Sequence, residues 1–447
     1  MFTVTAHISP GDALRRVLHI VAAAALVLAA TSMHSEHEPR PHDVAENEQE
    51  ELEGRAPTVV ELEPAVEAAF HRDSYAPGER ATLRIVAPAT TQTSVRIFRA
   101  GPERVSTTTN DVMNGVSVSQ TTKVRTLSST GRHPESVQIG NWPSGLYFAR
   151  LASADGLVGF APFIVRPERL GQHRVAVVLP TNTWEAYNLR DVDHNGIGDS
   201  WYANWNVVQV DTTRAYLSRG VPPHFRAYDL PFIRWLAHSR KRADFFSDLD
   251  LERVGSGDRL ADAYDLVVFP GHHEYVTEQE YDIVERYRDL GGNLMFLSAN
   301  NFFWHTRRHG TNIERTAQWR DLGRPEAGLL GVQYRANDRG EHRGPFIVRA
   351  TPAGRWIFAG TCLAPGSDFG SFGIEIDKTT PDSPPGTQVL AEIPDLLGPG
   401  RTAQMTYYET RAGAKVFAAG AFTLAGAADS DPVRRILENL WHRLIHP

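Results

Sequence analysis

Asp265-Leu266-Val267-Val268-Phe269-Pro270-Gly271-His272-His273-Glu274-Tyr275 joins a continuous apolar run to a Pro-Gly break and then to a cluster of titratable side chains. An unbroken apolar run of this length reads as a strand buried on both faces, because neither face has to meet water. Thr277 follows, with Glu280 three residues on. That spacing lets each side chain cap the other's backbone amide, and it predicts a helix over 277–290. Gly291-Gly292 stops the helix, and 293–298 predicts the next strand. Working outward, 175–180 is another buried strand and 230–238 has a helical period. Further on, 406–409 and 416–419 read as returning strands, and 431–445 as a closing helix with Pro432 at its first position. Strands that alternate with helices pair in parallel. The expectation for 168–447 is therefore an α/β fold, a mostly parallel sheet with helices on both faces.

The N-terminal third has a different grammar. Arg15 and Arg16 precede an apolar, Ala-rich run over 17–30 that ends in small residues, so 1–33 reads as a signal peptide or N-terminal anchor. Residues 34–57 carry Glu46, Glu48, Glu50, Glu51 and Glu53 and read as an acidic, disordered linker; His34, His37 and His42 lie within it. Over 58–167, β-branched and aromatic runs such as 82–86 and 94–98 are punctuated by Ala76-Pro77-Gly78, Pro143-Ser144-Gly145 and Asp155-Gly156. Regular short strands of this kind predict a small immunoglobulin-like β-sandwich, a packing or positioning module rather than a catalytic one. The export signal places the chain outside the cytoplasm, secreted or in the cell envelope, with a membrane tether through the N-terminal segment as a further option.

Composition narrows the chemistry. The chain has 447 residues and a formal net charge of −7, with no basic patch, which argues against nucleic acid as partner. Cys362 is the single cysteine, so intrachain disulfides and thiolate-rich metal sites are excluded. As a lone cysteine it reads as a small buried side chain rather than a catalytic thiol.

Ligands of open α/β sheets bind beyond the carboxyl ends of the strands. Three predicted strands end there in unusual clusters: Thr183-Trp184-Glu185-Ala186-Tyr187-Asn188, then Gly271-His272-His273-Glu274-Tyr275, then Asn300-Asn301-Phe302-Phe303-Trp304. Their equivalent placement in the repeat is what marks them out. Together with Arg226-Ala227-Tyr228-Asp229 and Thr406-Tyr407-Tyr408-Glu409-Thr410, these strings resemble the large (beta) subunit of N,N-dimethylformamidase, over about 173 to the C-terminus and more faintly through Trp142-Pro143-Ser144-Gly145-Leu146-Tyr147. The resemblance implies one iron ion held by two tyrosines and a glutamate, which fall on Tyr187, Tyr228 and Glu274. It places His272, Asn300 and Glu409 around the ion. It also implies hydrolysis of a C–N amide bond on a small amide substrate, on an amidotransferase-like scaffold, and a small subunit that is not part of this chain. A homo-oligomer is the other assembly left open. The alternative function is a non-catalytic, cell-surface glycan- or peptide-binding protein on the same scaffold.

The implied donor set is coherent chemically. Two phenolates and a carboxylate are hard anionic oxygens suited to a trivalent ion such as Fe³⁺. His272 precedes Glu274 by two, so in an extended segment both side chains face one way. His272 would relay protons or stabilise an oxyanion, Asn300 would donate to that oxyanion, and Glu409 would act as base or proton shuttle. A second metal signal is Asp191-Val192-Asp193-His194-Asn195-Gly196-Ile197-Gly198-Asp199. Asp191, Asp193, Asn195, the carbonyl of Ile197 and Asp199 stand at calcium-loop positions, with Gly196 at the sharp turn; Tyr202 stands where the closing acidic ligand is usual. The expected occupant is calcium.

Overall fold

The computed structural model describes residues 65–86, 91–126, 133–204 and 206–445. The expected signal segment, the acidic linker and its three histidines lie outside the described residues. Among those described, no helix is long and apolar enough to cross a membrane.

Two sheets form the first region. Glu67–Phe70, Arg80–Val86 and His133–Gln138 make one; Thr91–Arg99, Gly145–Ser153 and Val158–Val165 are the long strands of the other. In Arg80–Val86 the alternation is direct: Ala81, Leu83 and Ile85 are buried while Arg80 and Thr82 face out. Leu83, Ile85, Ile97, Tyr147, Leu151 and Phe163 meet in one core between the sheets.

The largest sheet has eleven strands. In chain order these are β1 (Val175–Leu179), β2 (Asp244–Ser247), β3 (Leu266–Phe269), β4 (Asn293–Phe296), β5 (Gln333–Asn337), β6 (Arg343–Val348), β7 (Asp368–Lys378), β8 (Gln388–Ile393), β9 (Ala403–Glu409), β10 (Lys415–Ala418) and β11 (Ala421–Phe422). Their spatial order is β2-β1-β3-β4-β10-β9-β8-β6-β7-β5, with β11 added on β7. The pairs from β2 to β10 are parallel, and every pair beyond β10 is antiparallel. A fourth sheet, of four strands, contains Tyr275–Thr277, Trp304–His309, Asn312–Gln318 and Gln209–Asp211.

This overturns the expected fold class. The described residues are mostly β, 35% strand against 20% helix, in several large mixed and antiparallel sheets rather than a parallel sheet clad in helices. The reason lies between 304 and 393. There, short strands such as Gln333–Asn337 and Arg343–Val348 alternate in burial and are linked by turns without intervening long helices. They extend the sheet by antiparallel pairing, which needs no long helical crossover. The local expectations nearer the parallel strands agree with the structure. The runs Val175–Leu179, Leu266–Phe269 and Asn293–Phe296 are wholly buried. The helix Glu278–Asp289 carries the reciprocal Thr277–Glu280 cap. The C-terminal helix runs Val433–Ile445, starting just after Pro432. Cys362, expected to be buried, is exposed.

The sandwich packs on the segment that carries Tyr228. Asn110 accepts from Arg226 Nε at 2.9 Å, Asp111 pairs with Arg219 at 3.2 Å, and Glu103 pairs with Arg234 at 3.5 Å.

Candidate metal centre

Three strand ends converge and are laced together by hydrogen bonds. The helix Thr181–Ala186 follows β1 directly and is capped by Tyr187. Thr183 Oγ1 accepts from the amides of Glu274 at 3.1 Å and Tyr275 at 3.3 Å, tying the first cluster to the second. The third cluster closes on the second from the other side. Phe302 N donates to His273 O at 2.7 Å, and Trp304 N to Glu274 O at 2.8 Å. Gly271 stands where no side chain fits: a Cβ there would lie 2.2 Å from Asp229 Oδ1. Asn300 adopts a positive φ of 51°, and Asp377 Oδ1 holds its amide at 2.9 Å. A non-glycine residue in that conformation is strained, and such strain concentrates where side chains must be aimed.

Glu274 is 2% exposed and sits at the centre. Its Oε2 accepts from Tyr187 Oη at 3.0 Å and from Tyr202 Oη at 2.9 Å. His272 Nε2 lies 3.2 Å from the same oxygen, and Asn300 Nδ2 donates to Oε1 at 3.4 Å. His272 Nδ1 faces the Ala299 carbonyl at 3.2 Å. A carbonyl only accepts, so Nδ1 bears the hydrogen and Nε2 is the nitrogen turned toward Tyr187 and Glu274. Burial first, and then the Glu274 charge, push the Tyr187 and Tyr202 phenols well above the ordinary tyrosine range.

Tyr228 joins through rings. It stacks on His224 at 4.9 Å and on Phe422 at 5.1 Å, and Phe422 meets the edge of His272 at 4.6 Å. Burial, and next the charge of Glu375, push the Tyr228 phenol up to about 12. The structure thus gathers Tyr187, Glu274, His272 and Asn300 into hydrogen-bond contact, with Tyr228 one ring removed from His272 through Phe422.

Glu409 is not brought there. It is exposed, accepts from Tyr407 Oη at 2.5 Å, and ends β9 opposite Lys415. Lys415 begins β10, so Glu409 lies at the opposite end of the sheet from the carboxyl ends that carry the centre. The antiparallel turn from β9 to β10 reverses the chain, which the reading of 406–409 as a returning strand did not resolve. Glu375 of β7 occupies the place instead. It is 7% exposed, with Oε2 3.7 Å from His272 Nε2. The strand β11 follows β10 and pairs with β7, which brings Glu375 back over the strand ends. Tyr202 and Tyr275 are the other residues that sequence reasoning missed. The available signal was Tyr202 at the closing position of the Asp-rich loop, a polar-tipped ring where an acid is usual.

The Asp-rich loop is compact. Ligand oxygens of Asp191, Asp193 and Asp199 all lie within 4.8 Å of one another. Asp191 Oδ2 accepts from Gly196 N at 2.7 Å, Asp199 Oδ2 from Val192 N at 2.7 Å, and Asn195 Oδ1 from Ile197 N at 2.7 Å.

The centre fits a hard cation. Among the described residues Glu274 has no Lys or Arg partner; its neighbours are phenols, an imidazole and an amide. A buried carboxylate without a cation is costly, and oxygen donors arranged around it suit an ion that offsets the charge. Asn300 Oδ1 is also buried without a hydrogen-bond partner.

Comparison with known proteins bears on the same residues. The beta subunit of N,N-dimethylformamidase from Paracoccus aminophilus is 26% identical over 182 residues, covering 39% of this chain and 23% of that protein. The match therefore spans less than a quarter of the relative's length. Among solved structures, superoxide reductase (neelaredoxin) from Ignicoccus hospitalis is 12% identical, with coverage of 27% of this chain and 92% of that one and a TM-score of 0.15. The sporulation control protein Spo0M from Bacillus subtilis is 13% identical, with coverage of 24% and 49% and a TM-score of 0.16. Scores this low carry no argument about fold or function. Residues 98–435, which include Tyr187, Tyr228, Glu274, His272, Asn300 and Glu375, match the family described as N,N-dimethylformamidase beta subunit-like, C-terminal. With more than half of its length so matched, the chain belongs to the N,N-dimethylformamidase beta subunit-like family.

Proposed function

We propose that this chain is an exported, metal-dependent hydrolase of C–N amide bonds in small amides, with Tyr187, Tyr228 and Glu274 holding one iron ion, Fe³⁺. The observation that carries the reading is the buried Glu274 carboxylate, surrounded by Tyr187, Tyr202, His272 and Asn300 and without a cationic partner among the described residues. Bound there, the ion supplies Lewis acidity toward an amide carbonyl and toward water. The protein's own groups do the rest. Asn300 directs its amide donor into the centre, placed to stabilise charge on a carbonyl oxygen. His272 stands between Glu274 and Glu375 with Nε2 turned toward both, placed to relay a proton to a departing amine. Glu375 takes the base or shuttle role first assigned to Glu409. The helix and loop around Tyr187 exclude water from Glu274, which strengthens every one of these interactions.

The Asp191–Asp193–Asp199 loop, with Asn195 and the Ile197 carbonyl, belongs to the same proposal as a calcium site that stiffens the chain between the two tyrosines. The relative is named a beta subunit. A partner subunit, or a second copy of this chain, is proposed to complete the assembly.

The test is metal analysis and a visible spectrum of purified protein, followed by a panel of small formamides and other amides. Iron at one equivalent, a tyrosinate–Fe³⁺ colour and amide turnover are expected, and Glu274→Ala is expected to lose all three. An E274A variant that keeps both iron and turnover refutes the ligand assignment. Colourless, metal-free protein that binds glycans supports the non-catalytic alternative instead.

A further inference from the structure

The Glu274 carboxylate ends a chain of donors that begins outside the tyrosine–glutamate set. Arg315 hydrogen-bonds the Tyr275 phenol. Tyr275 Oη donates to Tyr202 Oη at 2.8 Å, and Tyr202 Oη donates to Glu274 Oε2 at 2.9 Å. The direction is fixed at both ends, because a guanidinium only donates and a carboxylate only accepts. Each phenol between them therefore accepts from the Arg315 side and donates toward Glu274. Rings hold the chain in place. Tyr202 stacks on Tyr187 at 4.2 Å, Tyr275 on Trp201 at 5.0 Å, and the Arg315 guanidinium lies over Trp304 at 4.6 Å. The members come from separate elements: Arg315 from the strand Asn312–Gln318, Tyr275 from Tyr275–Thr277, and Tyr202 from the turn after the Asp-rich loop.

We infer that Tyr202 is a positioning residue of the metal centre: through this one-way chain from Arg315 it holds Oε2 of Glu274 and sets how strongly that carboxylate donates to the ion. The inference rests on the proposed iron site. Tyr187 also donates to Oε2, at 3.0 Å. A phenolate ligand has no hydrogen to give, so Tyr202 remains the phenol donor to Glu274 in the loaded protein. A carboxylate oxygen that accepts a hydrogen bond passes less charge to a cation, and a chain polarised by a fixed positive charge deepens the effect. The ion is left more electrophilic and Glu274 is held at one angle.

The test uses the iron-loaded full chain and the variant Tyr202→Phe, with Arg315→Leu and Arg315→Lys as remote companions. In Y202F the phenolate-to-iron band moves to shorter wavelength, because a stronger carboxylate donor makes the ion harder to reduce. Iron affinity nevertheless falls about ten- to hundredfold, because Glu274 loses the contact that fixes its angle. R315L shifts the band in the same direction, and R315K, which keeps donor and charge, restores most of it. A Y202F protein with unchanged band and affinity overturns the inference, whether or not it melts earlier, and leaves the proposed function standing. A wild-type chain that takes up no iron overturns both.

Discussion

Two glutamates compete for one role, and their surroundings decide between them. Glu375 is buried beside His272, with the carboxylate 3.7 Å from Nε2. Its neighbour Ile374 has a φ of 68°, a conformation that a β-branched residue adopts only under constraint. The constraint has a visible purpose, since pairing of β7 with β11 shifts register between Gly373 and Ile376 and Glu375 is buried within that irregularity. Glu409 is exposed, and its carboxylate accepts from Tyr407. An exposed carboxylate at the far end of the sheet has no path to the centre. Glu375→Gln is therefore expected to lower kcat by about 10²–10⁴, the range for loss of a general acid or base. Glu409→Ala is expected to leave kcat within about twofold. Steady-state kinetics on the two variants separate the roles, and equal losses would return Glu409 to the site.

The Asp-rich loop is the element whose behaviour is open to the simplest measurement. Its three carboxylates lie within 4.8 Å of one another, and self-repulsion at that spacing is relieved by a bound dication. Millimolar calcium is expected to raise the melting temperature, while Asp193→Asn weakens the effect; calorimetry with and without chelator reads it, and a flat response removes calcium from the account. The loop also illustrates what sequence shows at this scale. A pattern confined to a few neighbouring residues, like the Asp191–Asp199 spacing or the Thr277–Glu280 cap, is legible because its partners are local. The strand ends were legible for a related reason: continuous apolar runs fix β1, β3 and β4, and their polar caps follow directly. Glu375 and Tyr202 were not legible. Glu375 reaches the centre through β11 pairing on β7, and Tyr202 through hydrogen bonds across more than seventy residues of chain. The antiparallel half of the large sheet escaped for the same reason, as its short strands gain their order from partners distant in sequence.

Across the whole molecule, the sandwich, the large sheet and the four-stranded sheet meet at one buried polar network. Ser74 Oγ of the sandwich donates to Asp250 Oδ1 at 2.6 Å, in the helix Asp248–Val254. Asp248 Oδ2 accepts from Asn182 N at 2.7 Å, at the start of the helix that leads to Tyr187. Arg308, from the four-stranded sheet, donates to Glu252 at 2.9 Å and to Asn182 Oδ1 at 2.7 Å. Carboxylates outnumber cations here, and burial pushes Asp248 up to about 7 despite the donors from Asn182 and Thr181. Burial also raises Glu280, with the charge of Asp248 adding to it. Below about pH 4 the Asp248 carboxyl is protonated in both folded and unfolded chains and favours neither. Between about pH 4 and 7 the folded chain keeps a proton that the unfolded chain has released, so each rise in pH erodes stability. Above about pH 7 the penalty is complete, on the order of a few kcal/mol for a shift of this size. The melting temperature is thus expected to fall from pH 5 to pH 8, and Asp248→Asn, which keeps an acceptor for Asn182 N and Thr181 but cannot ionise, is expected to flatten that fall. Thermal unfolding of both proteins across the range decides it: an identical slope in the variant would mean that Asp248 does not carry the penalty, and a stability that rises with pH would reverse the sign of the network's charge balance.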